Sequence, residues 1–258
     1  MKRIVPAALG LGLTLASLLV ASPPVVRSGV AIHASLSGSK IYYSSANWSG
    51  YADTAAKPFT YVTGKWKEPF VTCDNTPPEA AAFWVGLDGW TSPTVEQGGT
   101  IAQCNDGSPT SYYAWWEMYP TNNITYLYQV YPGDQIQATV SYAKGIYKIT
   151  VADLNKQHKR SETISTACAA NVTCDNSSAE WIAEAPTYGT TIANLPEWNA
   201  PGNKLGFSGG FATSSGNKLA ISKYAHTLIE LYTGDLVAAP NSLGSQGQGF
   251  TDVWYAEN

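Results

Sequence analysis

Charged side chains are scarce in this 258-residue chain: Asp, Glu, Lys and Arg make up 13% of it, about half the usual quarter. With 15 Lys and Arg against 19 Asp and Glu, no basic patch is available for phosphates, which argues against a nucleic-acid partner. Histidine is scarcer still: His33, His158 and His226 are scattered along the chain. No Cys-x-x-Cys spacing and no H-E-x-x-H helix motif is present, so neither a structural zinc site nor a zinc-peptidase helix is supported. Helical periodicity is almost absent as well, which points away from helical folds. The low charge has a further consequence. Protonating carboxylates destabilises a protein by destroying native ion pairs, and a chain with few of them has less to lose in acid.

What is present begins with an apolar N-terminus. Lys2 and Arg3 precede an apolar run over 4–20, and Val20-Ala21-Ser22-Pro23 supplies small residues and a stop. This is the form of a secretory signal peptide over 1–22; a membrane anchor needs about 20 apolar residues. Residues 23–45 read as a linker or short propeptide, and 46–258 as one large domain. Cys73, Cys104, Cys168 and Cys174 allow three pairings. In an oxidising compartment two disulfides are expected, and local pairing gives Cys73–Cys104 and Cys168–Cys174. Short apolar runs separated by turn residues predict an all-β domain of about a dozen strands, with two packed antiparallel sheets as the natural architecture. The clearest hairpin has Ile136, Ala138, Val140 and Tyr142 alternating with polar residues, a Lys144-Gly145 turn and a return strand.

One stretch draws attention as a site. In Phe83-Trp84-Val85-Gly86-Leu87-Asp88-Gly89-Trp90, a strand puts Phe83, Val85 and Leu87 on one face and Trp84, Gly86 and Asp88 on the other. The first face is core; the second joins an aromatic, a gap and a carboxylate, as a cleft wall does. A second short strand then carries Gln97 beside Gly98 and Gly99. Further on, Tyr113, Trp115, Glu117 and Tyr119 share a strand face, as do Glu180, Ile182 and Glu184. Gly206-Phe207-Ser208-Gly209-Gly210 matches G-x-S-x-G in form, but no acid lies between Ser208 and His226 and no helix pattern follows, so a nucleophile elbow is not expected. Two carboxylates flanking a sugar leave a glycoside hydrolase using Glu117 and Glu184 as one alternative. A non-catalytic carbohydrate-binding sandwich is another.

Five segments, taken together, resemble the glutamic peptidases, the eqolisin group of acid endopeptidases (G1/A4 type). Asn47-Trp48-Ser49-Gly50 is similar to the family's Asn-Trp-(Gly/Ser)-Gly. Trp84-Val85-Gly86-Leu87-Asp88-Gly89 resembles Trp-Val-Gly-Ile-Asp-Gly, and Gln97-Gly98-Gly99 stands where the family has Gln-Thr-Gly. Ala114-Trp115-Trp116-Glu117-Met118-Tyr119-Pro120 resembles Ala-Trp-Tyr-Glu-Trp-Tyr-Pro. Ala179-Glu180-Trp181-Ile182-Ala183-Glu184 resembles Ala-Glu-Phe/Trp-Ile-x-Glu. The resemblance implies a β-sandwich of jelly-roll type and a secreted, pepstatin-insensitive acid peptidase. It implies polypeptide substrates, no cofactor or metal, and a monomer. By motif, the catalytic pair falls on Gln97 and Glu184. Trp48, Trp84, Asp88 and Glu117 fall on positions around the cleft, as wall and hydrogen-bond support. The family's fungal members place their cysteines differently, so no disulfide pairing is inherited from the resemblance.

Overall fold

The computed structural model describes residues 32–34, 41–74, 78–105 and 108–258. The expected signal peptide and part of the 23–45 segment lie outside them. Within the described residues the regular secondary structure is strand, apart from one short 3-10 turn. The order is β1 (Ile32–Ala34), β2 (Ile41–Ser45), β3 (Trp48–Thr54), β4 (Phe59–Lys67), β5 (Val71–Thr72), β6 (Glu79–Leu87) and β7 (Val95–Asn105). It continues with β8 (Ser108–Tyr119), β9 (Asn122–Gln129), β10 (Gln135–Ala143), β11 (Ile146–Asp153), β12 (Arg160–Thr166) and β13 (Ser178–Glu184). The short β14 (Thr187–Tyr188), β15 (Thr191–Ile192) and β16 (Glu197–Trp198) lead to β17 (Lys204–Ser214), β18 (Asn217–Ala220), β19 (Ala225–Tyr232), β20 (Leu236–Pro240) and β21 (Phe250–Trp254). A single 3-10 turn, Ile221–Lys223, precedes β19. The strand number exceeds the expected dozen partly because several strands are only two residues long.

The pairings form two runs. One is β2–β19–β3–β13–β6–β7–β8–β9. The other is β21–β17–β4–β10–β11–β12. They are not two separate sheets, as the sequence suggested. β19 also pairs with β20, and β20 with β21, so a single 17-stranded sheet folds over on itself. Apart from the parallel β2–β19 contact, the pairs within both runs are antiparallel.

Strict alternation builds the core between the layers. Phe83, Val85, Leu87, Trp181 and Ala183 from one layer meet Val62, Trp66, Ile136, Val140, Ile149 and Val151 from the other. Because side chains alternate with period two, a one-residue slip would carry this whole set to the opposite face, so burial fixes the register. Trp181 pins the layers. Its Nε1 donates to the Thr63 carbonyl across the core at 2.8 Å, and Gly64 leaves the space its ring occupies: a Cβ there would lie 2.7 Å from Trp181 Cδ1. Burying such an indole removes roughly 200 Å² from water, on the order of 5 kcal/mol before entropy is charged against it. The 135–153 hairpin forms in the expected register, with Tyr142 opposite Tyr147 and Lys144 and Gly145 at φ 52° and 80°, as a type I′ turn requires. Both locally paired disulfides, Cys73–Cys104 and Cys168–Cys174, are present.

Candidate active site

The first layer has a second face, turned away from that core. Because β13 lies between β3 and β6, and β7 and β8 follow β6, their registers stack residues into cross-strand rows. One row runs Glu180, Gly86, Gln97, Glu117. The next runs Gly50, Ile182, Trp84, Gly99, Trp115. The third runs Trp48, Glu184, Ala82, Ile101, Tyr113. Trp84 therefore stands at the centre, with Glu184 and Gln97 as diagonal neighbours on opposite sides. Diagonal neighbours are about 7–8 Å apart, so the two backbones are roughly 15 Å apart on one face, with two extended side chains between them. Trp48, Trp84, Ile101, Trp115 and Ile182 form a second apolar cluster here, rimmed by the half-buried Trp90, Tyr113, Tyr119 and Ile124.

Two glycines let the face pack this closely. At Gly99 a Cβ would lie 2.0 Å from the Phe83 carbonyl oxygen. At Gly89, φ is +108° and a Cβ would lie 2.7 Å from Trp48 Cη2. Trp48 in turn meets Trp84 edge-on, with ring centres 4.9 Å apart.

Glu184 is only 2% exposed. Its Oε2 accepts from Trp84 Nε1 at 2.7 Å and its Oε1 from Asn47 Nδ2 at 3.1 Å. The Trp48 indole N–H also acts on this carboxylate, from outside hydrogen-bonding geometry. Burial pushes the Glu184 carboxyl well above the usual range, and the like charge of Glu117 pushes the same way. The donors from Trp84, Trp48 and Asn47 pull against both. Gln97 is fully buried, and its Nε2 donates to Glu117 Oε2, the residue directly opposite on β8. Among the described residues its Oε1 has no hydrogen-bond partner. An amide nitrogen has two hydrogens, so one remains after the bond to Glu117.

The expected site residues divide into two groups. Gln97, Glu184, Trp48, Trp84 and Glu117 share this face. Asp88 lies beyond the paired rows of this face. It sits at φ 66° just after β6 and clamps the loop that leads into β13, accepting from Asn176 N at 2.6 Å, Ser177 N at 2.7 Å and Ser177 Oγ at 2.8 Å. Two further residues had no assigned role from sequence. Asn47 is one, although it stands beside Trp48 in the motif. Glu180 is the other: it is fully buried in the Gln97 row, and neither carboxyl oxygen is within hydrogen-bonding geometry of a partner among the described residues.

Elsewhere, Ser208 lies within β17 with its Oγ facing the Lys65 carbonyl at 3.4 Å. That is mid-strand and not an elbow, and His226 is exposed on β19. Cys73 and Cys104 approach Glu79, but their sulfurs are joined to each other. Asp134, Asp153 and His158 also lie close together. Asp134 already accepts from Asn155 Nδ2 at 2.8 Å and Tyr131 N at 2.9 Å, and it pairs with His158 Nδ1 at 2.9 Å, which makes the group a clasp between two turns.

Comparison with known proteins bears on this geometry. The sequence profile of the Peptidase A4 family matches residues 46–248. Aspergillopepsin-2 from Aspergillus niger is 27% identical over 202 residues, covering 69% of this chain and 68% of that protein. The crystal structure of aspergilloglutamic peptidase from Aspergillus niger superposes with a TM-score of 0.57 at 27% identity, over 69% of this chain and 99% of that one. Scytalido-glutamic peptidase, solved with a peptide-based transition-state analogue, superposes with a TM-score of 0.67 at 18% identity, over 81% of this chain and 98% of that one, a likeness of fold.

Proposed function

From the premise that the chain belongs to the Peptidase A4 family, the glutamic peptidases, we propose a secreted acid endopeptidase in which Glu184 activates a water and Gln97 polarises the scissile carbonyl. Polypeptides are the substrates of such a peptidase. The observation that carries the assignment of roles is the diagonal Glu184–Trp84–Gln97 across one sheet face, with each polar side chain held by its own partners.

In this mechanism the Glu184 carboxylate takes a proton from water as the oxygen attacks the carbonyl carbon. The remaining Gln97 N–H donates to the oxyanion that develops. Collapse of the intermediate breaks the C–N bond, and Glu184 returns its proton to the leaving amine. Losing an oxyanion donor of this kind typically costs about 10²–10³ in rate. Glu117 is a positioning residue: it accepts from Gln97 Nε2 and so fixes the direction of the amide. An amide keeps its donor at a pH that would neutralise a second carboxylate, which suits acid conditions. The raised pKa makes ionised Glu184 a stronger base than a free carboxylate, and the Trp84 and Asn47 donors favour that ionised form.

The folded-over sheet is compatible with a jelly-roll sandwich, and a monomer without cofactor is the simplest working unit. Secretion rests on the basic and apolar N-terminus together with the two disulfides. The test is a casein digest from pH 2 to pH 7 with pepstatin present, using wild type, Glu184→Gln and Gln97→Ala. Wild type is expected to cleave on the acid side of neutrality, with a rate that climbs along the acid limb as Glu184 ionises. Both variants are expected to lose cleavage while keeping wild-type circular dichroism. Wild-type-like cleavage by either variant overturns the dyad. Release of reducing sugar without proteolysis would favour a glycosidase instead.

A further inference from the structure

The row that carries Glu184 ends on an aromatic wall that the catalytic reading does not use. From Glu184 it crosses Ala82 and Ile101 to Tyr113. Three strand spacings make this roughly 14 Å, the length of about four extended residues. Tyr113 stacks on Tyr126 of β9, with ring centres 4.9 Å apart and planes 17° from parallel. Tyr126 keeps 40% of its surface exposed. Gln103 pins the wall. Its Oε1 accepts from Tyr126 Oη at 2.8 Å, and its Nε2 donates to Tyr188 Oη at 2.7 Å. Tyr188 follows Glu184 by four residues, so one amide ties the wall to the strand end that bears the base. The neighbours on this face, Ala82, Ile101 and Trp115, carry no charge.

We propose that Tyr113 and Tyr126, held by Gln103, form a substrate pocket that takes an aromatic or bulky aliphatic side chain within about four residues of the scissile bond. The inference rests on the endopeptidase reading and on Glu184 as the base. The physical case is preorganisation. Two rings stacked and hydrogen-bonded in the free enzyme lose little freedom when a side chain lands on them. The exposed ring offers a flat apolar surface, and ring-on-ring packing adds to the area buried. A charged side chain placed there would lose hydration, and the described neighbours on this face offer no opposite charge to meet it.

The test uses peptide sets that differ only in Phe, Ala or Lys at each of the four positions on either side of one cleaved bond. Wild type is expected to prefer Phe over Ala by at least about tenfold in kcat/KM at one position, and to disfavour Lys there. Tyr126→Ala is expected to bring that ratio to within about twofold of unity. Tyr126→Phe keeps the ring but loses the bond to Gln103, so the ratio should fall part of the way, to a value between wild type and Tyr126→Ala. If Tyr126→Ala fails to fold, Gln103→Ala supplies the comparison, since it unpins the wall without removing a ring, and the ratio should fall. A wild type with no aromatic preference at any position, or variants that keep the full ratio, overturns the pocket and leaves the endopeptidase reading standing. Absence of any peptide cleavage by wild type overturns both.

Discussion

Raising the pH from 4 to 8 should destabilise this protein progressively, because burial raises the pKa of several of its carboxyl groups. Glu68 is 1% exposed at the end of β4. Burial pushes its pKa up to about 8, with the charges of Asp134 and Asp153 adding to the rise, while Thr100 and Trp66 pull it down. Asp252 is fully buried and pushed up to about 7, against the pull of the Ser49 hydroxyl, which lies 2.8 and 3.0 Å from its two oxygens. In the unfolded chain these groups titrate near 4.5 and 3.8. A folded pKa above the unfolded one means that the native state binds more protons in between. The associated stability is therefore complete below about pH 4 and is lost as pH rises through 7 and 8. At about 1.4 kcal/mol per pKa unit, the two groups account for roughly 4–5 kcal/mol each. These are upper figures, since a fold relaxes and admits water around a buried charge. Even half of the sum is a large share of the roughly 5–15 kcal/mol that holds a domain together. Asp53, Glu96, Glu180 and Glu184 are shifted in the same direction by burial. Thermal melts followed by circular dichroism between pH 3 and pH 8 should show the highest Tm in acid and a fall of about 10 °C or more by pH 8. The Glu68→Gln/Asp252→Asn double variant should flatten the curve. A Tm that holds steady or rises from pH 4 to pH 8 in the wild type would show that Glu68 and Asp252 do not hold their protons in the folded state.

Three further outcomes follow from the site. Glu117→Gln removes the like charge that raises Glu184 but keeps an acceptor for the Gln97 amide. The acid limb of the kcat/KM profile should therefore move to lower pH; a limb that stays in place or moves up counts against the coupling. Trp84→Phe removes the 2.7 Å donor to Glu184. A hydrogen bond to a charged group contributes about 1.5–3 kcal/mol, so the same limb should move up by about one unit or more, and an unchanged profile would show that the indole does not hold the carboxylate. Gly99→Ala places a Cβ 2.0 Å from the Phe83 carbonyl oxygen, and overpacking against backbone should cost about 3 kcal/mol or more; an unchanged Tm in a denaturation scan would contradict the packing of β6 on β7.

Much of this arrangement is legible in the sequence because a strand has period two. Alternation alone sorts Trp84 from Phe83 and Val85, places Glu184 with Ile182 and Glu180, and sets the 135–153 hairpin around Lys144-Gly145. The parallel β2–β19 contact has no local signature, so neither it nor the fold-over through β20 can be read from the chain. Registry between distant strands is hidden for the same reason. Asn47 reaches Glu184 across 137 positions, and Glu117 faces Gln97 only because β7 and β8 pair in one register and not the next. Buried acids are equally silent. Low charge suggests few ion pairs, but nothing in the spacing of Asp53, Glu68 or Asp252 tells a buried carboxyl from a solvated one, since a lone acid on a strand fits either face.

These hidden contacts decide what the motif residues can do. A glutamate at position 184 and a glutamine at position 97 are, by themselves, an ordinary acid and an ordinary amide. Asn47 and Trp84 hold one carboxylate by both oxygens, while Glu117 raises its basicity from one strand and turns the amide from the same position. In the proposed mechanism Glu117 thus couples Glu184 to Gln97: a change in its charge acts on the Glu184 carboxyl through space and on the Gln97 amide through a hydrogen bond. A Glu117→Ala variant should therefore fail differently from Glu117→Gln, since it removes the amide's acceptor as well as the charge. It should lower kcat in addition to shifting the acid limb, and identical profiles for the two variants would show that Glu117 acts on Glu184 alone.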